Sequence, residues 1–171
     1  QPRPTPLNTV AFLKACSKGL HIGPHQALSI AERLYLSGYL SYPRTESSSY
    51  PKSFDLLNTL KAQQHDSRWG NYVRKLLHSG INHARGGFDA GDHPPITPTF
   101  VAADHLCGDS ARVYELVVRH FIATISDDAV WMSTSVTFSV DRLKIITQER
   151  LWGEFSISGK ELLNPGFLEV L

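Results

Sequence analysis

The apolar residues of this chain change their spacing once, near residue 129. Upstream they recur every three or four positions, the period of a helix that buries one face. Downstream they alternate, the period of a strand. That switch predicts an α+β fold: a mainly helical domain over 1–128, followed by antiparallel strands over 129–171. Asn8 or Thr9 caps a helix running to about Lys18, with Val10, Leu13, Ala15 and Cys16 inward and Gly19 at its end. Gly23-Pro24 opens a second helix, Pro24 being suited to a first turn. Ala27, Leu28, Ala31, Leu34 and Tyr35 give it an apolar stripe, and Gly38 stops it. Phe54, Leu57 and Leu60 mark a helix after Pro51, and Tyr72, Val73, Leu76 and Leu77 mark another over 69–78. A short helix is expected over 100–106. A longer one, capped by Asp109 or Ser110, runs to about Thr124 with Val113, Leu116, Val117, Phe121 and Ile122 inward. Beyond the switch, Val136, Phe138 and Val140 share a strand face. Further strands are expected over 143–147, 152–157 and 166–170, with Ser158-Gly159-Lys160 as a turn.

Prolines stiffen two segments that interrupt the helical pattern. In Gly38-Tyr39-Leu40-Ser41-Tyr42-Pro43-Arg44-Thr45-Glu46-Ser47, Pro43 biases Tyr42 toward extended backbone. Arg44 then falls on the same side as Tyr42 if the segment stays extended. A phenol beside a guanidinium is a phosphate-attacking pair. Taken singly, Tyr42 reads more simply as a strand-end aromatic of a core. The second segment is Asp89-Ala90-Gly91-Asp92-His93-Pro94-Pro95-Ile96-Thr97-Pro98-Thr99. His93 alone reads as a residue capping the Pro94-Pro95 turn. Asp89 and Asp92 beside it are weak evidence for a metal, since aspartates beside Gly and His are common in turns.

Together the two segments, in this order and separation, resemble the active-site motifs of type IA DNA topoisomerases. The likeness is greatest to the eukaryotic III-beta form, chiefly through Asp-Ala-Gly-Asp-His-Pro-Pro-Ile-Thr-Pro, and it runs through most of the chain. The resemblance implies that Tyr42 is a nucleophile that cleaves one nucleic-acid strand, keeps the 5′ phosphate and later rejoins the strand without ATP. It assigns Arg44 and His93 to catalysis as cationic donors, and Arg44, Thr45, Ser47 and His93 to nucleic-acid binding. A phenol ionises near pH ~10, so a neighbouring cation or proton acceptor must activate it. Glu46 is placed to orient Arg44 by an ion pair. The resemblance further implies Mg²⁺ held by a toprim domain, for which this chain shows no segment. It therefore predicts no metal ligands here and no activity for this fragment alone. The implied substrates are underwound DNA with single-stranded stretches, and RNA. The implied partners are the remaining topoisomerase domains and a Tudor-domain protein, with a nuclear and cytoplasmic location.

Bulk properties add limits. The 42% apolar and 19% charged fractions suit a chain that builds a core. Seventeen basic against sixteen acidic residues leave no overall basic footprint, so attraction for nucleic acid must be local or come from other parts of a larger protein. Cys16 and Cys107 have no zinc spacing, and no run is long and apolar enough for a membrane span. The start at Gln1-Pro2-Arg3-Pro4 shows no secretory signal, and both ends read as cuts through a longer chain. Two other readings stand beside the enzyme. One is a non-catalytic module binding single strands, with Tyr39 or Tyr50 as stacking platforms. The other is a structural domain with its aromatics buried.

Overall fold

The computed structural model describes residues 1–99, 105–143 and 151–171. The expected helix over 100–106 lies mostly, and the strand over 143–147 almost wholly, outside the described residues. The Asn8 side chain accepts the Ala11 amide at 2.9 Å and caps α1 (Thr9–Ala15). Phe12 is buried within it, and Cys16, one turn on and just past its end, is buried too. Val10 lies well off that line and is exposed, contrary to its expected inward position. Burial pushes the Cys16 thiol up to about 11, so it stays neutral and packs as a small hydrophobe. The helix does not end at Gly19. It widens into a π-turn (Cys16–Leu20) and stops at His21, which is left-handed with φ 57°.

Helix α2 (Pro24–Leu36) starts as expected, with Pro24 in its first turn, and buries Ala27, Ile30, Ala31 and Leu34. It packs on α5 (Gly108–Thr124), the longest helix among the described residues. Its end is a Schellman motif. Gly38 has φ 79°, its amide donates to the Tyr35 carbonyl at 2.9 Å, and the Tyr39 amide donates to that of Leu34 at 2.8 Å. A Cβ at Gly38 would meet no heavy atom within 4 Å, so only the backbone conformation demands glycine. Gly38→Ala is therefore expected to destabilise the fold by about 1–2 kcal/mol. Thermal unfolding will read this as a Tm lower by at least about 2–4 °C.

Helix α3 (Leu56–Ala62) is capped by Asp55 and pairs with α4 (Gly70–Ser79). In α3 the inward residues are Thr59 and Leu60, while Leu57 is exposed against expectation. Helix α5 starts from Cys107, not Asp109 or Ser110. Asp109 instead sits in the first turn, where a negative charge suits the helix dipole, and bonds Arg112 and Gln26. Of the expected residues α5 buries Val113, Val117, Phe121 and Ile122, while Leu116 is partly buried; it also buries Tyr114 and Val118, because it is packed from more than one side.

The chain then forms an antiparallel two-stranded ribbon, β1 (Val130–Leu143) with β2 (Leu151–Asn164). Val136 lies opposite Ile157 and Phe138 opposite Phe155, so the apolar residues gather on one face, where all four are exposed. Ser158-Gly159-Lys160 is not a turn; it lies within β2, opposite Ser135, Thr134 and Ser133. Nor is 166–170 a strand. Pro165 and left-handed Gly166 (φ 48°) start a 3-10 turn (Gly166–Glu169) that buries Phe167. Gly166 has no room for a Cβ, which would come within 2.5 Å of the Asp127 carbonyl oxygen. The Phe167 amide donates to that same carbonyl at 2.9 Å, which returns the chain to the helical body. No helix of the described residues is long and apolar enough to cross a membrane.

Candidate active site

Gly38 turns the chain back from α2, and the reversed segment finds a partner far along the sequence. Leu40 bridges Pro98, and the Ser41 amide donates to the Thr97 carbonyl at 2.9 Å. The Ser41 hydroxyl accepts the Thr97 amide at 2.9 Å and donates to the Pro95 carbonyl at 3.1 Å. Leu7 bridges Ile96 on the same stretch. The two proline-stiffened segments are thereby laid antiparallel. Prolines suit this place because few backbone donors are needed along a short edge.

The consequence is a cluster of rings. The Tyr42 ring lies 4.6 Å from the His93 ring at 55°, and 5.2 Å from the Tyr35 ring in an edge contact at 69°. Tyr42 is half-buried between them, with Pro43 buried beside it. Flanked on both sides, the phenol has few rotamers open to it. Tyr35 was read from the sequence only as part of a core stripe. Its signal was its place in the last turn before Gly38, where a reversing chain returns past it.

Arg44 is exposed, and its partner is Glu32 rather than the expected Glu46. Glu32 Oε1 accepts from Nε at 2.7 Å and lies 2.6 Å from Nη2. Nη1 makes no hydrogen bond to the described residues. The guanidinium is thus held along one edge, with the rest of its fork free for an anion. Glu46 is exposed, and its carbonyl takes a long 3.5 Å bond from Asn8.

Thr45 and Ser47, which the resemblance assigns to nucleic-acid binding, lie inside the fold. Both are buried, at 3% and 0% exposure, and their hydroxyls are bonded within the fold. The Thr45 hydroxyl donates to the His93 carbonyl at 3.0 Å and accepts the Ser47 amide at 3.1 Å. The Thr9 hydroxyl accepts the Thr45 amide at 2.9 Å. The Ser47 hydroxyl accepts the Ala90 amide at 3.0 Å and lies 3.4 Å from Asp92 Oδ1. These two residues join the two segments. Thr45→Val would leave the His93 carbonyl and the Ser47 amide without a buried partner. It is expected to lose about 1–3 kcal/mol in denaturant unfolding.

Asp92 keeps its charge: the His93 amide bonds its carboxylate and holds it below the usual range. The Asp89 carboxylate accepts the Gly91 amide at 2.9 Å, as in an Asx turn. Among the described residues, no three of His, Cys, Asp and Glu gather closely enough to hold a metal ion.

A family profile described as DNA topoisomerase matches residues 1–171, the whole chain. Human DNA topoisomerase 3-beta-1 is 46% identical over 171 residues, which is 99% of this chain and 19% of that protein. DNA topoisomerase 3-beta of Arabidopsis thaliana is 42% identical, over 99% of this chain and 18% of that one. This chain therefore spans about a fifth of the length of these relatives. Among solved structures, full-length topoisomerase I from Thermotoga maritima superposes with a TM-score of 0.67 at 18% identity, covering 99% of this chain and 27% of that one. At that identity the likeness shows the fold alone, here α+β. The profile and the curated relatives together show that the chain belongs to the type IA DNA topoisomerases and is III-beta-like.

Proposed function

We propose that, in the full-length protein, this chain supplies the nucleophile for transient cleavage of a single nucleic-acid strand. The Tyr42 oxygen attacks a backbone phosphorus and the phenolic proton passes to an acceptor. The P–O3′ bond breaks, and the 3′ oxygen leaves and takes up a proton. A 5′-phosphotyrosine remains, so the bond energy is conserved and rejoining needs no ATP. Arg44, fixed by Glu32, binds non-bridging oxygens through its free fork and stabilises their growing charge. His93 supplies a second donor beside the phenol. The observation that carries this reading is the pairing of the two segments, which sets the His93 ring 4.6 Å from that of Tyr42.

Among the described residues no three of His, Cys, Asp and Glu gather to hold a metal ion, and we assign the Mg²⁺ implied by the resemblance to carboxylates of a toprim domain. The isolated chain is then inactive. The helical tyrosine domain covers 1–128, with the ribbon as part of an arch. Substrates are underwound DNA with single-stranded stretches, relaxed or decatenated, and RNA. A Tudor-domain partner and a nuclear and cytoplasmic location complete the reading. The binding-module alternative has less support. Tyr39 packs edge-on against Tyr114, and Tyr50 stacks on Phe54 with its hydroxyl 3.2 Å from that of Thr124. Burial pushes the Tyr50 phenol far above the usual range, and the partly buried ring packs against the core.

The test uses the full-length protein, Mg²⁺ and a labelled single-stranded oligonucleotide, stopped with SDS. After proteolysis the labelled peptide is sequenced. A 5′ phosphate on Tyr42 is expected. No adduct, a 3′ linkage or a label on another residue overturns the reading.

A further inference from the structure

A cavity of about 720 Å³ opens beside the reactive cluster, within the size range of ligand pockets. Arg44 lines it together with Val10, Glu46, Ser48, Phe88 and Asp92. Tyr42 and His93 are not among the residues that line it, so the cavity begins where the cluster ends. Two of its side chains are apolar and open to solvent: Val10 is 58% and Phe88 63% exposed.

A lone exposed apolar side chain is ordinary. Phe88 differs in how it is held. The Ser48 amide donates to the Phe88 carbonyl at 2.7 Å, and the Phe88 amide donates to the Ser48 hydroxyl at 3.1 Å. Gly87, next to it, approaches so closely that a Cβ would lie 2.1 Å from the Ser48 carbonyl oxygen. The long connector between α4 and the His93 segment is therefore clamped where it carries an exposed ring. The clamp fixes the backbone that carries the ring, and the cavity has Phe88 and Arg44 among its lining residues.

The charges decide what enters. Glu46 and Asp92 are among the residues that line the cavity, and their negative charges oppose a phosphate inside it. Carboxylates do accept hydrogen bonds from the amino groups on base edges. Arg44 attracts a phosphate to the rim. A flat, uncharged ring joined to a phosphate meets all of these conditions.

We propose that this cavity is a nucleobase subsite: the base next to the phosphate bound by Arg44 stacks on Phe88. This rests on the reading of Arg44 as a phosphate contact. The subsite tolerates different bases, since every base has a face to stack. It also tethers the strand on the side of Arg44 away from the phenol.

The test uses the full-length protein and single-stranded oligonucleotides in which one abasic site is walked across the cleavage position. Binding is measured at fixed salt. In the unaltered protein, an abasic site at one position near the cleaved bond should weaken binding about tenfold. Phe88→Ala should weaken binding of the intact strand by a similar factor, and the abasic strand should then suffer no further loss. Phe88→Trp should bind within about twofold of the unaltered protein, because it keeps the stacking face. The proposal is overturned if Phe88→Ala binds within twofold of the unaltered protein, or if its loss multiplies with that of every abasic site. Adduct formation on Tyr42 is followed in the same samples. An adduct with unchanged Phe88→Ala binding rejects the subsite alone. Absence of the adduct from the unaltered protein rejects the nucleophile.

Discussion

Tyr42→Phe in the full-length protein is expected to abolish the covalent adduct and all strand rejoining, while the fold and single-strand binding persist. Removing a covalent nucleophile lowers turnover by about 10⁶-fold where it has been measured, which here means below detection. The substitution deletes one oxygen and keeps the ring. The contacts with Tyr35 and His93 are ring contacts, so phenylalanine retains them. Stability should then change by less than about 0.5 kcal/mol. SDS-resistant adduct, thermal unfolding and equilibrium binding to an oligonucleotide are the three measurements. A variant that still forms an adduct would move the nucleophile elsewhere. A variant that fails to fold would point to a structural task for the hydroxyl.

Arg44→Ala carries the second large effect, a loss of about 10²–10³-fold in the rate of cleavage. Lysine is expected to restore little, because it lacks the planar fork that takes two phosphate oxygens. Glu32 is argued to act through Arg44, so its substitution is the sharper measurement. Glu32→Ala should slow cleavage less than Arg44→Ala does, by letting the guanidinium wander. In an Arg44→Ala background it should add nothing, and that non-additivity would mark a positioning residue. The pair is substantially exposed, so it contributes only about 0–1 kcal/mol to stability. Cleavage should therefore fall in variants whose unfolding is nearly unchanged. Parallel losses in rate and stability would instead make the pair structural.

What could be read beforehand was local. Asn8 as a cap, Pro24 in a first turn and Gly38 as a stop each act through neighbours within a few residues, and all three stand in the structure. The tyrosine and histidine strings were visible as strings. Their meeting was not, because the Ser41–Thr97 pairing spans 56 residues and leaves no local trace. The internal partner of Thr45 was hidden for the same reason. Its hydroxyl looks available to a ligand until the His93 carbonyl, 48 residues on, is found to occupy it. Glu46 was assigned to Arg44 by proximity along the chain, whereas the reversal at Gly38 brings the segment back along α2 and offers Glu32. In the ribbon, Gly159 suggested a turn. The register instead follows the apolar pairs Val136–Ile157 and Phe138–Phe155, which carry the glycine past as one more residue of the strand.

The cross-tied segments also have a mechanical meaning. In the proposed covalent state, a strand attached to Tyr42 pulls on a residue with little anchorage in its own stretch of chain. On one side the load enters Ser41, which is stitched to Thr97 and Pro95. On the other it enters Thr45, which is stitched to His93 and Thr9. Tension is therefore shared among several short bonds reaching three parts of the fold. Because the histidine segment bears part of the pull, it travels with the tyrosine. On the proposed roles of Tyr42 and His93, the two rings keep their spacing while an attached strand is under load.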